Sequence, residues 1–324
     1  LVLFATSCMA NVLGLNISSA FRSAVTVYIL IPLLLIPQMI LSGVMFPFDK
    51  INETIGGKGN VPFVADLMAS RWAYEAMAVF HFKNNSYEAP LYEFDKRASE
   101  ANFKNVYLAE ELMKRFKFVA DYRDSDNDAV NHHLRVIRES LRHEPYRVGL
   151  TEIDPNVEWK LASFSPSAKG EMEEYLKGYK KHYQDIYNAS IAAREAWLSK
   201  MENNPDFSIT EAKNRYYNES LADLLMNVSE EKRIVEHDGR LIQQIDPVFQ
   251  DPRPRHIFDY RAHFFAPSKN LLGAMVSTYW FNTMVIWVMT AIFYLALYAK
   301  IPMKSVEVLT YFSRRNRRGN LAVR

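Results

Sequence analysis

SAVTVYILIPLLLIPQMILSGVMFPF (residues 23–48) and NLLGAMVSTYWFNTMVIWVMTAIFYLALYA (residues 270–299) contain no charged side chain, and these two stretches decide the fold. As helices, each would be roughly 40 Å long, whereas the hydrocarbon core of a bilayer is about 30 Å thick. A core helix of a soluble protein would carry a polar face, and neither stretch has one. Both are therefore predicted to cross a membrane.

The first 21 residues are also uncharged and form a third predicted span, which contains the only cysteine, Cys8. Charged residues make up 23% of the chain, because a long polar segment separates the spans. The chain begins within an apolar run, without an initiator Met or a basic region. A cleaved signal peptide is therefore not expected, and we expect a longer parent protein.

Lys and Arg residues beside the spans predict the orientation of the chain in the membrane. Seven basic residues and one acidic residue follow the last span, so the tail 300–324 is predicted to be cytoplasmic. Residues 49–269 then lie outside the cytoplasm, and the short link around Arg22 lies inside. The basic tail is interpreted as a membrane anchor rather than as a nucleic-acid site. We expect a multi-pass protein of the cell (inner) membrane.

The segment between the spans is predicted to form a bundle of about four antiparallel helices, near 97–120, 126–143, 167–203 and 209–237. Its apolar residues recur at spacings of three and four, whereas the sustained alternation typical of strands is absent. The longest stripe has a coiled-coil-like spacing and comprises Met172, Leu176, Tyr179, Tyr183, Ile186, Ser190, Ala193 and Trp197. Two shorter stripes comprise Val130, Leu134, Ile137 and Leu141, and Tyr217, Leu221, Leu224 and Val228.

A particular order of features precedes this bundle. The second span contains two prolines, Pro32 and Pro37, and ends in Leu41-Ser42-Gly43-Val44-Met45-Phe46-Pro47. The prolines remove helix hydrogen bonds, and the glycine allows close approach of another backbone. Pro32, Pro37 and Gly43 are therefore predicted hinge or gate positions.

A short amphipathic helix is predicted over residues 66–82, which contain Ser70-Arg71-Trp72-Ala73-Tyr74-Glu75-Ala76-Met77. An apolar face is shared by Leu67, Trp72, Ala76, Val79 and Phe80, whereas Asp66, Arg71, Glu75 and Lys83 lie mostly away from it. A charged segment of this length cannot span a bilayer, but it can lie at the interface. Before the last span, an aromatic belt is predicted from Phe258, Tyr260, Phe264 and Phe265.

This order of features resembles the carboxy-terminal half of the membrane domain in type-2 ABC exporters, particularly the G-like class. In that class the fifth span ends in an S-G-x-x-x-P-like sequence, and a re-entrant helix with an R-Y-x-x-E-A-L pattern precedes the sixth span. The resemblance assigns Arg71, Tyr74 and Glu75 to the re-entrant helix and residues 271–299 to the sixth span. It does not extend to residues 86–265, and the cystines that many eukaryotic members carry there are missing.

The resemblance implies an all-α membrane protein, which is the permease portion of an ATP-driven exporter that works by alternating access. The implied partners are a nucleotide-binding ATPase domain and a second copy or homologous half of the membrane domain. The enlarged outer domain would gate the exit or dock an envelope protein. No nucleic-acid partner is implied.

The sequence contains no nucleotide site, so ATP is expected to bind a separate domain, upstream or on another chain. There is no G-x-x-x-x-G-K-[ST] loop, and the cluster Gly56-Gly57-Lys58-Gly59 lacks the spacing and the following hydroxyl of such a loop. We therefore expect no enzymatic activity of this chain and no cofactor within it.

Two patterns that imitate metal sites are incomplete. Residues 124–135 begin like a calcium loop, but Ala129 and Arg135 occupy positions that require glycine and glutamate. Three histidines of the segment between the spans, His132, His133 and His143, form no H-E-x-x-H pattern and are interpreted as surface residues. No metal site is predicted.

Polar groups inside the spans are the candidates for the transport path, because such groups are costly when they face lipid. Gln38 lies halfway along the second span, and Asn282 and Thr283 lie in the last span. Hydrogen bonds between packed helices account for such residues at least as often as substrate contacts do, and both interpretations stay open.

The alternative function is a membrane-tethered sensor or scaffold, whose external helical bundle binds a ligand or a protein. Sensors continue into a cytoplasmic signalling domain, whereas here only a basic tail follows the last span. The predicted division is two spans with a cytoplasmic link (1–48), an outer loop with the re-entrant helix (49–85), an extracytoplasmic helical domain (86–245), a Pro-rich return (246–270), the last span (271–299) and the basic tail (300–324).

Overall fold

The computed structural model describes residues 1–21, 23–45, 48, 61–122, 128–142, 144, 166–204, 208–237, 239–254, 256–304 and 306. The chain divides into two compact units. Unit 1 comprises Leu1–Phe80, Pro252–Phe264 and Ser268–Arg324, and unit 2 comprises His81–Asp251 and Phe265–Pro267. The described structure is mostly helical with two small hairpins, which confirms the predicted class of helical membrane protein.

The described residues form eleven α-helices and four short strands. The helices are α1 (Val2–Ala20), α2 (Ala24–Ile40), α3 (Phe63–Asp66), α4 (Ala69–Lys83), α5 (Tyr92–Asn102), α6 (Ala109–Asp121), α7 (Asp128–Leu141), α8 (Pro166–Glu202), α9 (Ile209–Tyr216), α10 (Glu219–Leu225) and α11 (Thr278–Tyr298). The strands form two antiparallel hairpins, β1 (Ile234–His237) with β2 (Arg240–Gln243), and β3 (Ser268–Leu271) with β4 (Ala274–Ser277).

Unit 1 is built around α1, α4 and α11. The side chain of Asn16 in α1 donates a hydrogen bond of 3.0 Å to the carbonyl oxygen of Phe293 in α11. The three helices share an apolar core of Val2, Ala5, Met9, Ala69, Trp72, Ala73, Ala76, Phe281 and Ile286. Among the described helices, α1 and α11 are long and apolar enough to cross a membrane.

Helix α2 is apolar but shorter, with 17 residues, and none of its residues is buried. Its backbone stays helical through Pro32 and Pro37, and large side chains such as Leu33 and Ile36 are exposed. A helix that is apolar on every side and has no buried face is expected to contact lipid or neighbouring helices.

The last span is shorter than its uncharged sequence predicts, because the prediction of one helix over 271–299 is wrong for its first residues. Ser268 pairs with Ser277 and Leu271 with Ala274, so these residues form a hairpin before α11 begins. The tip residues between the strands have positive φ angles, which a right-handed helix does not accommodate.

Unit 2 packs α5, α6, α7 and α8 around one apolar core. The stripe predicted on α7 is buried in full, as are the first four positions of the long stripe on α8. Further along α8, Ala193 is exposed, so the predicted seam does not continue to the end of the helix. A π-helical turn, Phe103–Leu108, joins α5 to α6.

The helix predicted over 209–237 is wrong. The chain there forms the two short helices α9 and α10 and then strand β1. Asn218 separates the helices because its side chain caps α10, accepting a hydrogen bond of 3.0 Å from the amide of Leu221. Leu224 and Val228, which the stripe placed inside, are exposed.

Some sequence predictions concern residues outside the described ranges. These residues are the end of the second span at Phe46-Pro47, the cluster Gly56–Gly59, most of the acidic loop before Asp128, His143 and the basic tail beyond residue 306. The orientation of the chain in the membrane stays a prediction.

Candidate functional site

Helix α4 turns its charged side chains inward. Arg71 is 2% exposed and Glu75 is 0% exposed, whereas Leu67 and Phe80 are exposed. The predicted division into an apolar face and a polar face is therefore wrong for Arg71, Glu75, Leu67 and Phe80, whereas Trp72, Ala76 and Val79 of the apolar face are buried. The physical reason is that Glu75 has partners 194 and 207 residues later in the chain, which the local pattern of α4 cannot reveal.

Glu75 is the centre of a buried polar network. Its Oε2 accepts a hydrogen bond of 2.6 Å from Nζ of Lys269 in β3 and one of 2.9 Å from Nδ2 of Asn282 in α11. The guanidinium of Arg71, one turn earlier on α4, lies 3.5 Å from the same oxygen. Asn282 also donates a bond of 3.0 Å to the carbonyl oxygen of Trp72. One carboxylate oxygen thereby joins α4, β3 and α11.

Arg71 extends the network to Asp66 at the end of α3. Its Nη1 lies 3.3 Å from Oδ1 of Asp66, and its guanidinium carbon lies 3.9 Å from the ring centroid of Trp72. The indole of Trp72 donates a hydrogen bond of 2.7 Å to the carbonyl oxygen of Asp66. Nζ of Lys269 lies 4.8 Å from the centroid of the same ring. Two cations therefore contact one aromatic ring, an arrangement that stabilises buried positive charge.

The network contains two acidic side chains, Asp66 and Glu75, and two basic ones, Arg71 and Lys269, so its charges balance. Burial opposes ionisation of Glu75, but Lys269 and Arg71 outweigh it and hold the pKa of Glu75 below its ordinary value. Burial lowers the pKa of Lys269 to about 8, although Glu75 acts in the opposite direction. Burial also raises the pKa of Asp66, despite the neighbouring Arg71.

A small cavity adjoins the network and is lined in part by Asp66, Arg71, Tyr260 and Lys269. Its volume of about 10 Å³ suffices for roughly one water molecule. Nε of Arg71 has no hydrogen-bond acceptor among the described residues, so it is available to such a molecule. In the part of the chain that the structure describes, no group of three or more metal-binding side chains occurs. The hydrogen bonds and ion pairs of the network join α3, α4, β3 and α11.

The structure separates the three residues predicted for the transport path. Asn282 belongs to the buried network, as described above. Thr283 is also buried, and its hydroxyl donates a hydrogen bond of 2.7 Å to the carbonyl oxygen of Tyr279 within α11. Gln38 lies apart from both on α2. Its backbone carbonyl oxygen accepts a hydrogen bond of 2.7 Å from Ser70 Oγ.

Gly43, one of the predicted hinge positions, occupies a tight contact. Its φ is 81°, and a Cβ atom there would lie 2.6 Å from Cζ of Phe264 and 2.9 Å from Cε2 of Phe48. These two rings pack edge to face, with centroids 4.7 Å apart. Tyr74 of α4 lies beside them, with its ring centroid 6.3 Å from that of Phe264. Only glycine meets both the backbone and the space requirement at this position.

Lys269 and Asp66 are the network residues that the site prediction missed. In the sequence, Lys269 only marks the boundary of the uncharged run before the last span, and Asp66 belongs to the predicted polar face. One feature of the sequence could have indicated the role of Lys269. It is the charged residue immediately before the uncharged run 270–299, and it follows an apolar segment. A charge in that position has to find a partner if the strand that carries it is buried.

Unit 2 contains a separate cluster of buried charge at the π-helical turn. Nζ of Lys104 lies 3.1 Å from Oε2 of Glu144 and 2.9 Å from Oε1 of Glu100. Tyr179 and Tyr183 of α8 each donate a hydrogen bond of 3.2 Å to the same oxygen of Glu144. Three donors therefore hold this carboxylate, as expected for a structural anchor.

The histidines of α7 belong to a polar cluster around Glu236. Nε2 of His132 and Nη1 of Arg115 each lie 2.7 Å from an oxygen of Glu236. Nη1 of Arg115 also lies 3.4 Å from Nδ1 of His133, whose pKa is lowered by burial and by Arg115. Both histidines therefore have polar neighbours within unit 2.

Residues 1–80 match the family model described as ABC-2 type transporter. The match covers 80 of the 324 residues and includes α1, α2 and the part of α4 that carries Arg71 and Glu75. It confirms the resemblance to type-2 ABC permeases that the sequence shows in this region. The comparisons found no matching curated protein and no matching solved structure.

Proposed function

We propose that this chain is the permease portion of an ATP-driven ABC transporter, an exporter that works by alternating access. The match of residues 1–80 to the ABC-2 type transporter model carries the proposal. The two helices long enough to cross a membrane, α1 and α11, support it. ATP would bind a separate ATPase domain, and a second copy or a homologous half of the membrane domain would complete the path.

The packing of unit 1 supports a division into one rigid part and one moving part. Helices α1, α4 and α11 share a core, and Glu75 joins α4 to α11, so the three helices are expected to move together. Helix α2 has no buried residue and contains two prolines, which makes bending less costly. We place the transport path along α2, with Gln38 as its polar residue.

In this proposal unit 2 lies outside the cytoplasm, where it gates the exit or docks an envelope protein. The charged clusters around Glu144 and Glu236 support a domain that folds around its own core in an aqueous compartment. The basic tail then lies on the cytoplasmic side.

The test is nucleotide-dependent cross-linking within unit 1. The protein is purified from membranes with the ATPase domain that it carries or binds, reconstituted in nanodiscs, and assayed for ATP hydrolysis. In a Cys8→Ser background, the pair Gln38→Cys and Ser70→Cys reports on α2 and α4. Phe80→Cys and Tyr279→Cys form the control pair between α4 and α11, because their native rings lie 4.5 Å apart.

We expect ATP with vanadate to change the cross-linking rate of the α2–α4 pair several-fold and to leave the control pair unchanged. Equal rates with and without nucleotide for both pairs, together with no ATP hydrolysis, would contradict the proposal. The membrane-tethered sensor or scaffold would then be the better interpretation.

A further inference from the structure

Four large apolar side chains are exposed on two adjoining segments of unit 1, and we call them the tip surface. They belong to the loop before β3 and to the β3–β4 hairpin. They are Ile257, Phe258, Leu272 and Met275, with exposed fractions of 61%, 75%, 67% and 48%. Contiguous apolar exposure of this kind marks an interaction surface.

The tip surface is held in place by Asn270, which is itself buried. Its Nδ2 donates hydrogen bonds to three carbonyl oxygens of the preceding loop, those of His256 (3.3 Å), Ile257 (2.9 Å) and Asp259 (3.0 Å). Its Oδ1 accepts a hydrogen bond of 3.0 Å from the amide of Gly273 at the hairpin tip. One side chain thus bonds the loop to the hairpin and fixes the positions of the apolar residues relative to one another.

The residue at the hairpin tip is unfavourable for a turn in water. Leu272 and Gly273 have φ angles of 53° and 92°, as in the two-residue turn that favours Asn-Gly. Leucine in this left-handed conformation costs roughly 1 kcal/mol, and asparagine would reduce that cost. Leu272 is therefore unfavourable both for its backbone and for its exposure to water. A bilayer would offset both costs, because it removes the side chain from water.

The position of the hairpin in the chain indicates which partner covers the tip surface. Strand β4 ends at Ser277, and α11, a helix long enough to cross a membrane, begins at the next residue. Trp280 in the first turn of α11 is exposed, as is typical of a residue at the membrane interface. Arg253 and His256 are exposed near the tip surface and suit phosphate headgroups.

We propose that the tip surface inserts into the bilayer interface beside the end of α11 and anchors the β3–β4 hairpin to the lipid. The partner is the lipid surface itself, and Leu272 is the deepest contact. This inference requires that α11 crosses a bilayer. It does not require ATP-driven transport, so the two proposals can fail separately.

The test measures collisions of spin labels with oxygen, which concentrates in lipid, and with a water-soluble nickel chelate. Single cysteines replace Leu272 or Phe258 in a Cys8→Ser background, and the protein is reconstituted in bilayers. Ile292→Cys, exposed on α11, calibrates the lipid response, and Lys114→Cys, exposed on unit 2, calibrates the water response. We expect the labels at 272 and 258 to show oxygen collision rates close to that at 292. We expect their nickel collision rates to be several-fold below that at 114.

A label at 272 that collides with nickel as often as the label at 114 would overturn the proposal, because the tip would lie in water. Low collision rates with both reagents would also overturn it, because they indicate a protein contact. If the label at 292 lacks the lipid response, α11 is not a span and the premise fails. A Leu272→Asn variant, which suits the turn, should keep the fold and raise nickel collisions at 258. Leu272→Met, which keeps the apolar tip, should leave them unchanged.

Discussion

Nζ of Lys269 lies 2.6 Å from Oε2 of Glu75, although 194 residues separate them in the chain. Both side chains are buried, and a buried charge without a partner is strongly destabilising. The pair therefore holds strand β3 against helix α4, and Asn282 extends the contact to α11. Loss of one member should cost more than loss of both, because a lone charge would stay behind.

We predict that Glu75→Gln lowers the free energy of unfolding of unit 1 by about 3 kcal/mol, because Lys269 and Arg71 lose their shared counter-charge. Adding Lys269→Met to this variant restores the charge balance and should recover part of the loss. Denaturant titration in detergent measures Glu75→Gln, Lys269→Met and the double variant. Lys114→Met is the control, because Lys114 forms an exposed ion pair with Glu111 and should cost at most about 1 kcal/mol. Strictly additive effects of the two buried substitutions would contradict the coupling.

We predict that Asn282→Leu destabilises unit 1 by about 1 to 3 kcal/mol, because Glu75 and the carbonyl of Trp72 each lose a buried donor. Thr283→Val should cost less than about 1 kcal/mol, because the lost hydroxyl only bonds to a carbonyl within its own helix. Denaturant titration measures both values. An Asn282→Leu variant as stable as the wild type would show that these hydrogen bonds add no net stability, and would favour the interpretation of Asn282 as a contact of the transport path.

The apolar helices α1, α2 and α11 could be predicted from the sequence because their signal is local. Each depends on a long run of residues without charge, and that property needs no knowledge of the rest of the chain. The same holds for α7, where the spacing of Val130, Leu134, Ile137 and Leu141 gave the buried face directly. Amphipathic periodicity predicts the buried face of a helix that has one solvent-exposed face and one buried face.

The network could not be predicted because α4 does not meet that condition. Arg71 and Glu75 form a polar face in a helical projection, yet Glu75 is bound by Lys269 of β3 and Asn282 of α11, which follow 194 and 207 residues later in the chain. The hairpin before α11 was missed for a related reason. From residue 271 to residue 276 the hairpin is as apolar as the helix, and only the left-handed turn at Leu272-Gly273 interrupts this run. Uncharged composition predicts burial in lipid but does not distinguish a helix from a hairpin beside it.

We predict that Gly43→Ala destabilises unit 1 by about 2 kcal/mol or more, because φ is positive and the new methyl group would meet the rings of Phe264 and Phe48. Gly14→Ala is the matched control, since Gly14 lies in α1 with no atom within 4 Å of the added Cβ. That substitution should stabilise the helix by about 0.5 to 1 kcal/mol. Thermal unfolding in detergent gives both values. A neutral Gly43→Ala would show that this position is open and able to bend.

We predict that unit 2 becomes less stable as the pH rises from about 4.5 to 7, because of Glu88. Burial and the neighbouring Asp95 raise the pKa of Glu88 from 4.5 to about 7, against the effect of Arg194. In that range the folded protein binds more protons at this site than the unfolded chain does. The free energy of unfolding therefore falls as the pH increases, by up to roughly 3 kcal/mol.

Glu88→Gln imitates the protonated carboxyl group and should remove this dependence, so the variant should gain stability over the wild type between pH 5 and 8. Hydrogen exchange of amides in α5 and α8, compared between proteins at the same pH, measures the local effect in unit 2. Glu195→Gln is the control, because Glu195 is exposed on α8 and should leave the difference near zero. Identical exchange of wild type and Glu88→Gln at every pH would show that Glu88 is ionised in the folded protein. The burial of this carboxylate would then be offset by Arg194, which already lies 2.7 Å from Asp95.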